Sequence, residues 1–467
     1  MSMERQGADL FRRYNEMKKQ GKIPYFDVEE FDEVAFLYET KGNYNEALTV
    51  IQNGLKQHPG NIDLLIKEAR YLLYVEQVDE AEKKLSVLPY EDEEVIVLKA
   101  ELCLYKRENR QAIEWLNSLL DHENFSSDLC LDVLDLLVDF NRMSELTDFA
   151  EKALQRISDT TDILRELASI YEEKEQFDLA LKTYDRLLEQ DPYSSTDWLG
   201  LAKIYAIKKN YEKAIEACDY ALAIDENDLN ALSFRGYCLF DTRRYEEAIA
   251  AFDEYVKNGG SKSIAYELMA ECYAALKKTK EAIAYLTKAY EINPRDVETC
   301  YQLAVNYFDT GEMQSAIDFL KKAIAIDDKD SSLYSFLGEI YLRQREFALA
   351  ENYLGKAVFL DPNNEEACML LGDLKAIQEM PEEAIPYYNQ VLNLTPYDIK
   401  VTFKLILAQY NAGNLEEAAS LIKHLDQIIN ENGTAEIPDN NKSDILQARN
   451  MLDTLRNILR DNLDEKI

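Results

Sequence analysis

The chain has 467 residues, 47% of them hydrophobic, and a formal net charge of −36. This hydrophobic share is typical of a folded protein and argues against general disorder. Because so strong a negative charge repels phosphate backbones and anionic lipid, we expect no nucleic-acid partner and no membrane surface as partner.

The amino-terminal segment predicts an amphipathic helix over residues 3–20. Its apolar side chains recur at spacings of three and four residues: Leu10, Phe11, Tyr14 and Met17,. We expect residues 1–27 to form a capping helix and a linker that cover the first repeat. The segment lacks the apolar core of a signal peptide, and no long apolar run follows, so a cytoplasmic location is the expectation.

A pattern of small residues recurs about every 34 residues from residue 28 onward. Counted from the start of each unit, position 20 holds alanine in all but one case: Ala47, Ala81, Ala112, Ala180, Ala214, Ala248, Ala282, Ala316, Ala350, Ala384 and Ala418. The units begin at residues 28, 62, 93, 127, 161, 195, 229, 263, 297, 331, 365 and 399. A fixed period of this length predicts a stack of two-helix units over residues 28–432.

Each unit predicts two helices, at about positions 2–14 and 17–30, joined by a tight turn. Small residues at positions 8 and 20 allow two antiparallel helices to approach closely. Gly42, Gly311 and Gly413 occupy position 15, where a left-handed residue suits the turn,. The unit at 127 has Leu134 and Leu146 in place of both small residues, so we expect its helices to lie farther apart or to cross differently.

This arrangement resembles the tetratricopeptide repeat (TPR). The unit that shows it best has its small residues, tyrosine and closing proline at Ala270, Ala282, Ala289, Tyr273 and Pro294. Among known families, the chain most resembles bacterial tandem-TPR proteins of unassigned function. The resemblance implies an all-α, right-handed α-solenoid, a superhelix of about twelve helix-turn-helix repeats with capping helices at both ends. It also implies a non-catalytic scaffold or adaptor for protein–protein interaction.

Residues 433–467 predict a polar loop followed by a C-terminal helix. From Ser443 onward the apolar side chains form one stripe: Ile445, Ala448, Leu452, Leu455 and Leu459,. Two interpretations stay open. The helix caps the last repeat, or the stripe is a dimerising seam.

No pattern of catalytic or metal-binding residues stands out. The three histidines lie far from one another, and the seven cysteines form no CxxC or Cys/His cluster,. Phosphate-binding loops and hydrolase or metalloprotease motifs are absent from the sequence. We therefore expect no enzyme activity, no metal, no cofactor and no small-molecule substrate. The cysteines are expected to be free thiols in the core.

The family's geometry places positions 2, 5, 9, 12 and 13 of the first helices on the concave surface. Carried over to this sequence, it gives a candidate peptide-binding groove of thirteen residues: Asn230, Tyr237, Phe240, Asp241, Glu267, Glu271, Tyr301, Phe308, Asp309, Glu339, Arg343, Met369 and Asp373. Two interpretations stay open for Phe240 and Phe308, which either face the groove or pack against their own neighbours.

A groove of tyrosines and acids suits an extended protein or peptide segment with apolar and basic side chains. Position 9 never holds asparagine, so the clamp by which some TPR domains grip a C-terminal carboxylate is not expected. The excess acid has a second interpretation as a solvated surface that keeps the chain soluble. The alternative function is that of an assembly or regulatory subunit that acts through its convex face or terminal helices.

Overall fold

A computed structural model describes residues 2–21, 23–89, 91–396 and 398–432. These residues form 25 helices and no strand, as the repeat pattern predicts. None of the described helices is long and apolar enough to cross a membrane. The predicted loop and helix of residues 433–467 lie outside the described part of the chain. The chain divides into two compact units, Met1–Ile224 and Asp225–Ile467, and we describe each by itself.

Unit 1 begins with α1 (Ser2–Lys19), which packs against the first helix pair. Six pairs follow: α2 (Val28–Glu39) and α3 (Tyr44–Gln57), α4 (Ile62–Tyr74) and α5 (Val78–Leu85), α6 (Glu93–Tyr105) and α7 (Asn109–Leu119), α8 (Ser127–Asp139) and α9 (Met143–Ala153), α10 (Thr161–Glu173) and α11 (Phe177–Gln190), α12 (Ser195–Ile207) and α13 (Tyr211–Ile224). The first helix of one pair contacts the first helix of the next at α4–α6 and at α8–α10. This stacking of neighbouring pairs is that of a solenoid.

Unit 2 contains six further pairs, stacked in the same way. They are α14 (Leu229–Asp241) and α15 (Tyr245–Lys257), α16 (Lys262–Ala275) and α17 (Thr279–Ile292), α18 (Val297–Asp309) and α19 (Met313–Ile326), α20 (Ser331–Arg343) and α21 (Phe347–Leu360), α22 (Glu365–Ile377) and α23 (Pro381–Leu394), α24 (Ile399–Asn411) and α25 (Leu415–Asn432). The first helices of both units begin at the predicted unit starts, except that α16 begins one residue early. The assignment of these pairs to twelve functional repeats stays a prediction.

Short polar side chains explain where the first helices begin. Asp296, for example, accepts a hydrogen bond from the backbone N–H of Thr299 at 2.6 Å, and Asn364 accepts one from Ala367 at 2.9 Å. Asp, Asn or Ser caps ten of the twelve first helices in this way. Each such cap stabilises its helix by about 1 kcal/mol.

The turn inside each pair contains one left-handed residue at position 15. The predicted glycines Gly42, Gly311 and Gly413 have φ of +70°, +82° and +82°. Nine residues with side chains adopt the same conformation in the other pairs: Glu76, Arg107, Asn141, Glu175, Lys209, Arg243, Lys277, Arg345 and Glu379. Each of these carries a steric cost that glycine avoids, so packing of the two helices outweighs local preference at the turn.

The helices of a pair cross where the small residues lie. Every alanine at position 20 has an exposed fraction of 0%. At position 8, a Cβ added to Gly236 would lie 2.5 Å from Cε1 of Phe252, and one added to Gly372 would lie 2.5 Å from Cε1 of Tyr388. The small residue therefore leaves room for the large side chain at position 24 of the partner helix.

The atypical pair α8–α9 buries its two leucines. Leu134 and Leu146 are both fully buried, within an apolar cluster that continues into α10 and α11. The interface thus accommodates leucine at both positions, whereas the other pairs have small residues there except for Ile406 at position 8 of α24. The different crossing that we expect of this pair stays a prediction.

Candidate functional site

The thirteen predicted groove residues all lie on the first helices of unit 2. They belong to α14, α16, α18, α20 and α22. Six are exposed: Asn230, Tyr237, Asp241, Glu271, Asp309 and Arg343. Seven are half-buried: Phe240, Glu267, Tyr301, Phe308, Glu339, Met369 and Asp373. We call this surface the unit 2 face.

The aromatic side chains of the unit 2 face differ in how much of each ring stays free. Tyr237 is 41% exposed, with one edge against Phe252 at 5.7 Å between ring centroids. Tyr301 and Phe308 both pack edge-on against Phe336, at 5.8 and 5.2 Å. Tyr237 therefore offers the most open ring, whereas Tyr301 and Phe308 are anchored by a shared neighbour.

Phe240 is also held by its own helix pair. Its ring lies 5.7 Å from that of Tyr245, at the start of the partner helix α15. For both Phe240 and Phe308 the structure thus shows packing against neighbours, the second of the two interpretations that the sequence leaves open. Both rings are half-buried, so each packs against a neighbour and keeps part of its surface exposed.

Three carboxylates lie close together where α16 and α18 meet. Burial is the main cause that raises the pKa of Glu271 above its ordinary value, and the charges of Glu298 and Glu267 raise it further. Burial also raises the pKa of Glu267, although its carboxylate accepts hydrogen bonds from Thr299 and Ser263. No lysine or arginine in the described part of the chain forms an ion pair with these three acids. Their mutual repulsion is therefore offset by neutral hydrogen-bond donors such as Thr299 and Gln302 and not by a described cation,.

A second group of carboxylates surrounds Tyr301. Burial raises the pKa of this tyrosine, and the charges of Glu366 and Glu298 add to the effect. The pKa of Glu366 is itself raised, first by burial and then by Glu339, against a hydrogen bond from Ser335 Oγ at 3.5 Å. The tyrosine ring thus lies within a negative potential that extends from α18 to α22.

Glu298 and Glu366 were missing from the predicted set. Both occupy position 2 of their units, which the family's geometry places on the concave surface, so the signal was present in the sequence. Their importance comes from their proximity to Glu271 and Tyr301 across neighbouring helices. Contacts of that kind become visible only in the folded chain.

Two predicted acids are neutralised within the chain. Glu339 pairs with Arg343 at 2.7 Å, and the Arg343 guanidinium lies 4.5 Å from the ring centroid of Phe308. Asp373 accepts hydrogen bonds from the Tyr388 hydroxyl at 2.8 Å and from Lys404 Nζ at 2.6 Å. These two positions contribute less free negative charge than the sequence suggests.

Beyond Asp373 the surface forms a depression of about 520 Å³ between α22 and α24. Ile377 and Leu407 line it and are 56% and 43% exposed. An apolar depression beside charged groups is the kind of surface that accepts an apolar side chain of a bound segment.

The described helices contain potential metal ligands and cysteine thiols. No three His, Cys, Asp or Glu side chains within the described ranges are grouped so that they could hold a metal ion. The seven cysteines are free and buried, as expected. Burial raises the pKa of Cys238 to about 11 and that of Cys272 to about 12, which keeps both thiols protonated near neutral pH,.

The helix pairs, their stacking and the small residues at their crossings define a helical repeat protein. Family models for the tetratricopeptide repeat match residues 235–297, 273–340 and 337–399. A family model described as anaphase-promoting complex, cyclosome, subunit 3 matches residues 173–255. The chain is therefore a tetratricopeptide-repeat protein, as the sequence pattern predicts.

Comparison with other proteins adds three remote structural relatives. The Cut9–Hcn1 hetero-tetramer of the APC/C is 16% identical, with 87% of this chain and 94% of that chain covered and a TM-score of 0.37. A TPR repeat-containing protein from Cytophaga hutchinsonii is 19% identical, with coverage of 53% and 97% and a TM-score of 0.42. YrrB, a TPR protein described as having an unusual peptide-binding site, is 20% identical, with coverage of 39% and 95% and a TM-score of 0.35.

No curated protein matches the sequence. The structural likenesses are too remote to carry an argument about partners.

Proposed function

We propose that this protein is a non-catalytic scaffold whose unit 2 face binds an extended protein segment bearing basic and apolar side chains. The observation that carries the proposal is the group formed by Glu267, Glu271 and Glu298. These carboxylates repel one another and have no ion-pair partner among the described residues. Tetratricopeptide repeats in general mediate protein–protein contacts, which agrees with a protein as the partner.

The electrostatics of the face favour a cationic side chain. Each raised carboxylate pKa reports a free-energy cost of holding charge in this place. A lysine or arginine side chain that enters between α16 and α18 removes part of that cost and forms charge-assisted hydrogen bonds. The same field repels phosphate groups, so nucleic acid is not the partner that we propose.

The aromatic side chains supply the apolar part of the contact. Tyr237 combines an exposed ring with little conformational entropy to lose on binding, which is typical of residues that dominate an interface. The depression lined by Ile377 and Leu407 gives a second apolar contact on the same unit. An extended segment with alternating basic and apolar side chains fits this order of groups.

The test uses a peptide selected by display against the full-length chain. Tyr237→Ala should weaken binding of that peptide by about tenfold or more, since a central aromatic anchor is lost. Phe359→Ala is the matched control, because Phe359 is 77% exposed on the second helix α21, away from the unit 2 face. Circular dichroism must show unchanged helicity for both variants.

The same pair of variants distinguishes the alternative function, an assembly subunit that acts through its convex surface. The Phe359 ring is exposed on α21 and has Lys356 Nζ 5.3 Å from its centroid, so the second helices also offer an aromatic contact. Loss of binding in Phe359→Ala with full binding in Tyr237→Ala would reject the groove and favour that alternative.

A further inference from the structure

A second acidic surface lies in unit 1, on a helix that the predicted groove does not include. Asp128, Asp132, Asp135 and Asp139 follow one another along one side of α8 at spacings of four, three and four residues. This spacing places all four on the same face of the helix. All are exposed, and none forms an ion pair with any described residue.

A row of aspartates alone defines no binding site, but Glu101 on the neighbouring helix α6 adds an independent observation. Its side chain is only 8% exposed, and the described residues offer its carboxylate neither a hydrogen bond nor an ion pair. Burial raises the pKa of Glu101 to about 7; Arg70 on α4 opposes this shift and Asp139 on α8 adds to it. The charged form of a largely buried carboxylate that no described side chain pairs with carries a free-energy cost, part of which a bound cation would relieve,.

Two tyrosines lie beside this carboxylate. Tyr74 on α4 and Tyr105 on α6 are 39% and 36% exposed. The charge of Glu101 contributes to the raised pKa of both. Both tyrosines occupy position 13 of their units, one helical turn after Arg70 and Glu101 at position 9. An exposed tyrosine ring beside a carboxylate favours a cationic side chain through cation–π attraction.

We propose that α4, α6 and α8 form a second binding surface, independent of the unit 2 face, for a basic segment of another protein. One lysine or arginine side chain of the segment pairs with Glu101 beside Tyr74 and Tyr105. Further basic side chains lie along the aspartates of α8. Charge complementarity selects this occupant.

The chain's own terminus is a poorer candidate for this surface. Residues 433–467 contain seven acidic and five basic side chains. Their net negative charge would be repelled by α8 and Glu101. A separate protein segment with net positive charge fits better.

The experiment titrates the full-length chain with a fluorescent peptide of alternating lysine and serine, followed by anisotropy. A carbodiimide then joins lysine amines to carboxylates in contact with them, and mass spectrometry maps the joined residues. We expect cross-links at Glu101 and at the aspartates of α8. Glu101→Gln, which keeps the side-chain shape, should weaken the unit 1 binding phase roughly tenfold, the effect of one charge-assisted hydrogen bond.

Two controls test whether binding depends on Glu101 and on the lysines of the peptide. Glu114→Gln removes the same charge from α7, where Glu114 is exposed and pairs with Arg110 at 3.1 Å, and should leave binding unchanged. The peptide with glutamine in place of lysine should not bind. Both tryptophans of the chain, Trp115 and Trp198, lie in unit 1, so their fluorescence shows whether each variant keeps that unit folded.

Each other outcome overturns the proposal. Cross-links confined to Glu271, Glu298 and their neighbours would agree with binding at the unit 2 face and would reject binding at the unit 1 surface. Equal weakening by Glu101→Gln and Glu114→Gln would show only general attraction to an acidic protein. Equal affinity for the polyamine spermine would show that the surface recognises diffuse positive charge rather than a protein segment.

Discussion

The acidic faces of unit 1 and unit 2 use the same helices of the repeat but distribute charge differently. In unit 1 the acids form a nearly continuous row on α8, with Glu101 buried beside it and Arg70 as the nearby cation. In unit 2 the acids alternate with aromatic rings, and some are already neutralised, as in the pair between Glu339 and Arg343. A common scaffold thus carries one surface dominated by charge and one that combines charge with apolar contact.

Under the two proposals, the repeat determines where a partner binds but not what each surface recognises. The buried crossings are alike in both units, since position 20 is fully buried in every pair and holds alanine in all of them except α8–α9, which has Leu146. The exposed positions of the first helices are free to vary, because their side chains contribute little to the packing. We therefore propose that the side chains at those positions determine which partner each unit recognises.

The largest expected effect concerns the stability of unit 1. Glu101 has a pKa of about 7 in the folded chain, against an ordinary value of 4.5 for a solvated glutamate, so between these pH values only the folded state keeps the proton. Stability from this group is therefore fully present below about pH 4.5 and is lost as pH rises through 7. The loss amounts to about 3 kcal/mol, at 1.4 kcal/mol for each pH unit.

Glu101→Gln should remove this part of the pH dependence. We expect the free energy of unfolding of the variant to fall less between pH 5 and pH 8 than that of the wild type, measured by urea unfolding with tryptophan fluorescence. Glu114→Gln, which removes an exposed charge from the same unit, serves as control. A wild-type slope in Glu101→Gln would show that this carboxylate does not hold its proton in the folded chain.

The next largest effect is a difference between the two faces in how strongly salt weakens peptide binding. Raising the ionic strength from 0.1 to 1 M shortens the screening length from about 10 to 3 Å. Binding of a lysine-rich peptide to unit 1 should then weaken by about tenfold or more, whereas a peptide with aromatic and basic residues on unit 2 should lose less. Titrations at both salt concentrations measure this. Equal losses would contradict the distinction between the faces.

A smaller effect is expected from the cation within unit 1. Arg70 pairs with Glu94 at 2.5 Å and lowers the pKa of Glu101, so it competes with an incoming cation. Arg70→Met should strengthen binding of the lysine peptide roughly two- to fivefold, the effect of one partly exposed ion pair. Arg186→Met, which breaks a pair with Glu151 on the second helices, should change nothing. Weaker binding in Arg70→Met would show that Arg70 supports binding of the peptide rather than competing with its cations.

The smallest effect concerns the scaffold that the faces share. Lys209 in unit 1 and Lys277 in unit 2 have φ of +58° and +57° at the same turn position. Replacing either by glycine removes steric cost but adds flexibility to the unfolded chain. We expect a net change within about 1 kcal/mol and of the same sign in both, measured by thermal unfolding. Stability changes of opposite sign would mean that the turn at position 15 does not behave alike in the two units.

The scaffold was predictable from the sequence because its signals are local and repeated. Alanine at the crossings, capping residues such as Asp296 and glycines such as Gly311 each recur at a fixed position. The left-handed turn at Lys277 was not predictable, since nothing in a lysine indicates that conformation. There the packing of α16 on α17 decides the backbone.

The unit 2 face was predictable only in outline, and the acidic surface of unit 1 was not among the predicted sites. Position numbering placed Tyr237 and Glu271 on the same surface, and the structure keeps both exposed. The numbering of sequence positions could not show that Lys404 from the next pair neutralises Asp373. Nor could it show that Glu101 is largely buried without a partner among the described residues. Both facts depend on side chains that meet across neighbouring repeats, at distances that no sequence spacing specifies.

The most direct test of the account is the number of cationic peptides that one chain binds. Isothermal titration of the full-length chain at low salt, with a peptide that contains both lysine and tyrosine, should give two sites. Glu101→Gln and Tyr237→Ala should each weaken one site about tenfold and leave the affinity of the other unchanged, and the double variant should weaken both. A single site in the wild type, or two sites of wild-type affinity in the double variant, would contradict the claim that the first-helix faces bind cationic segments.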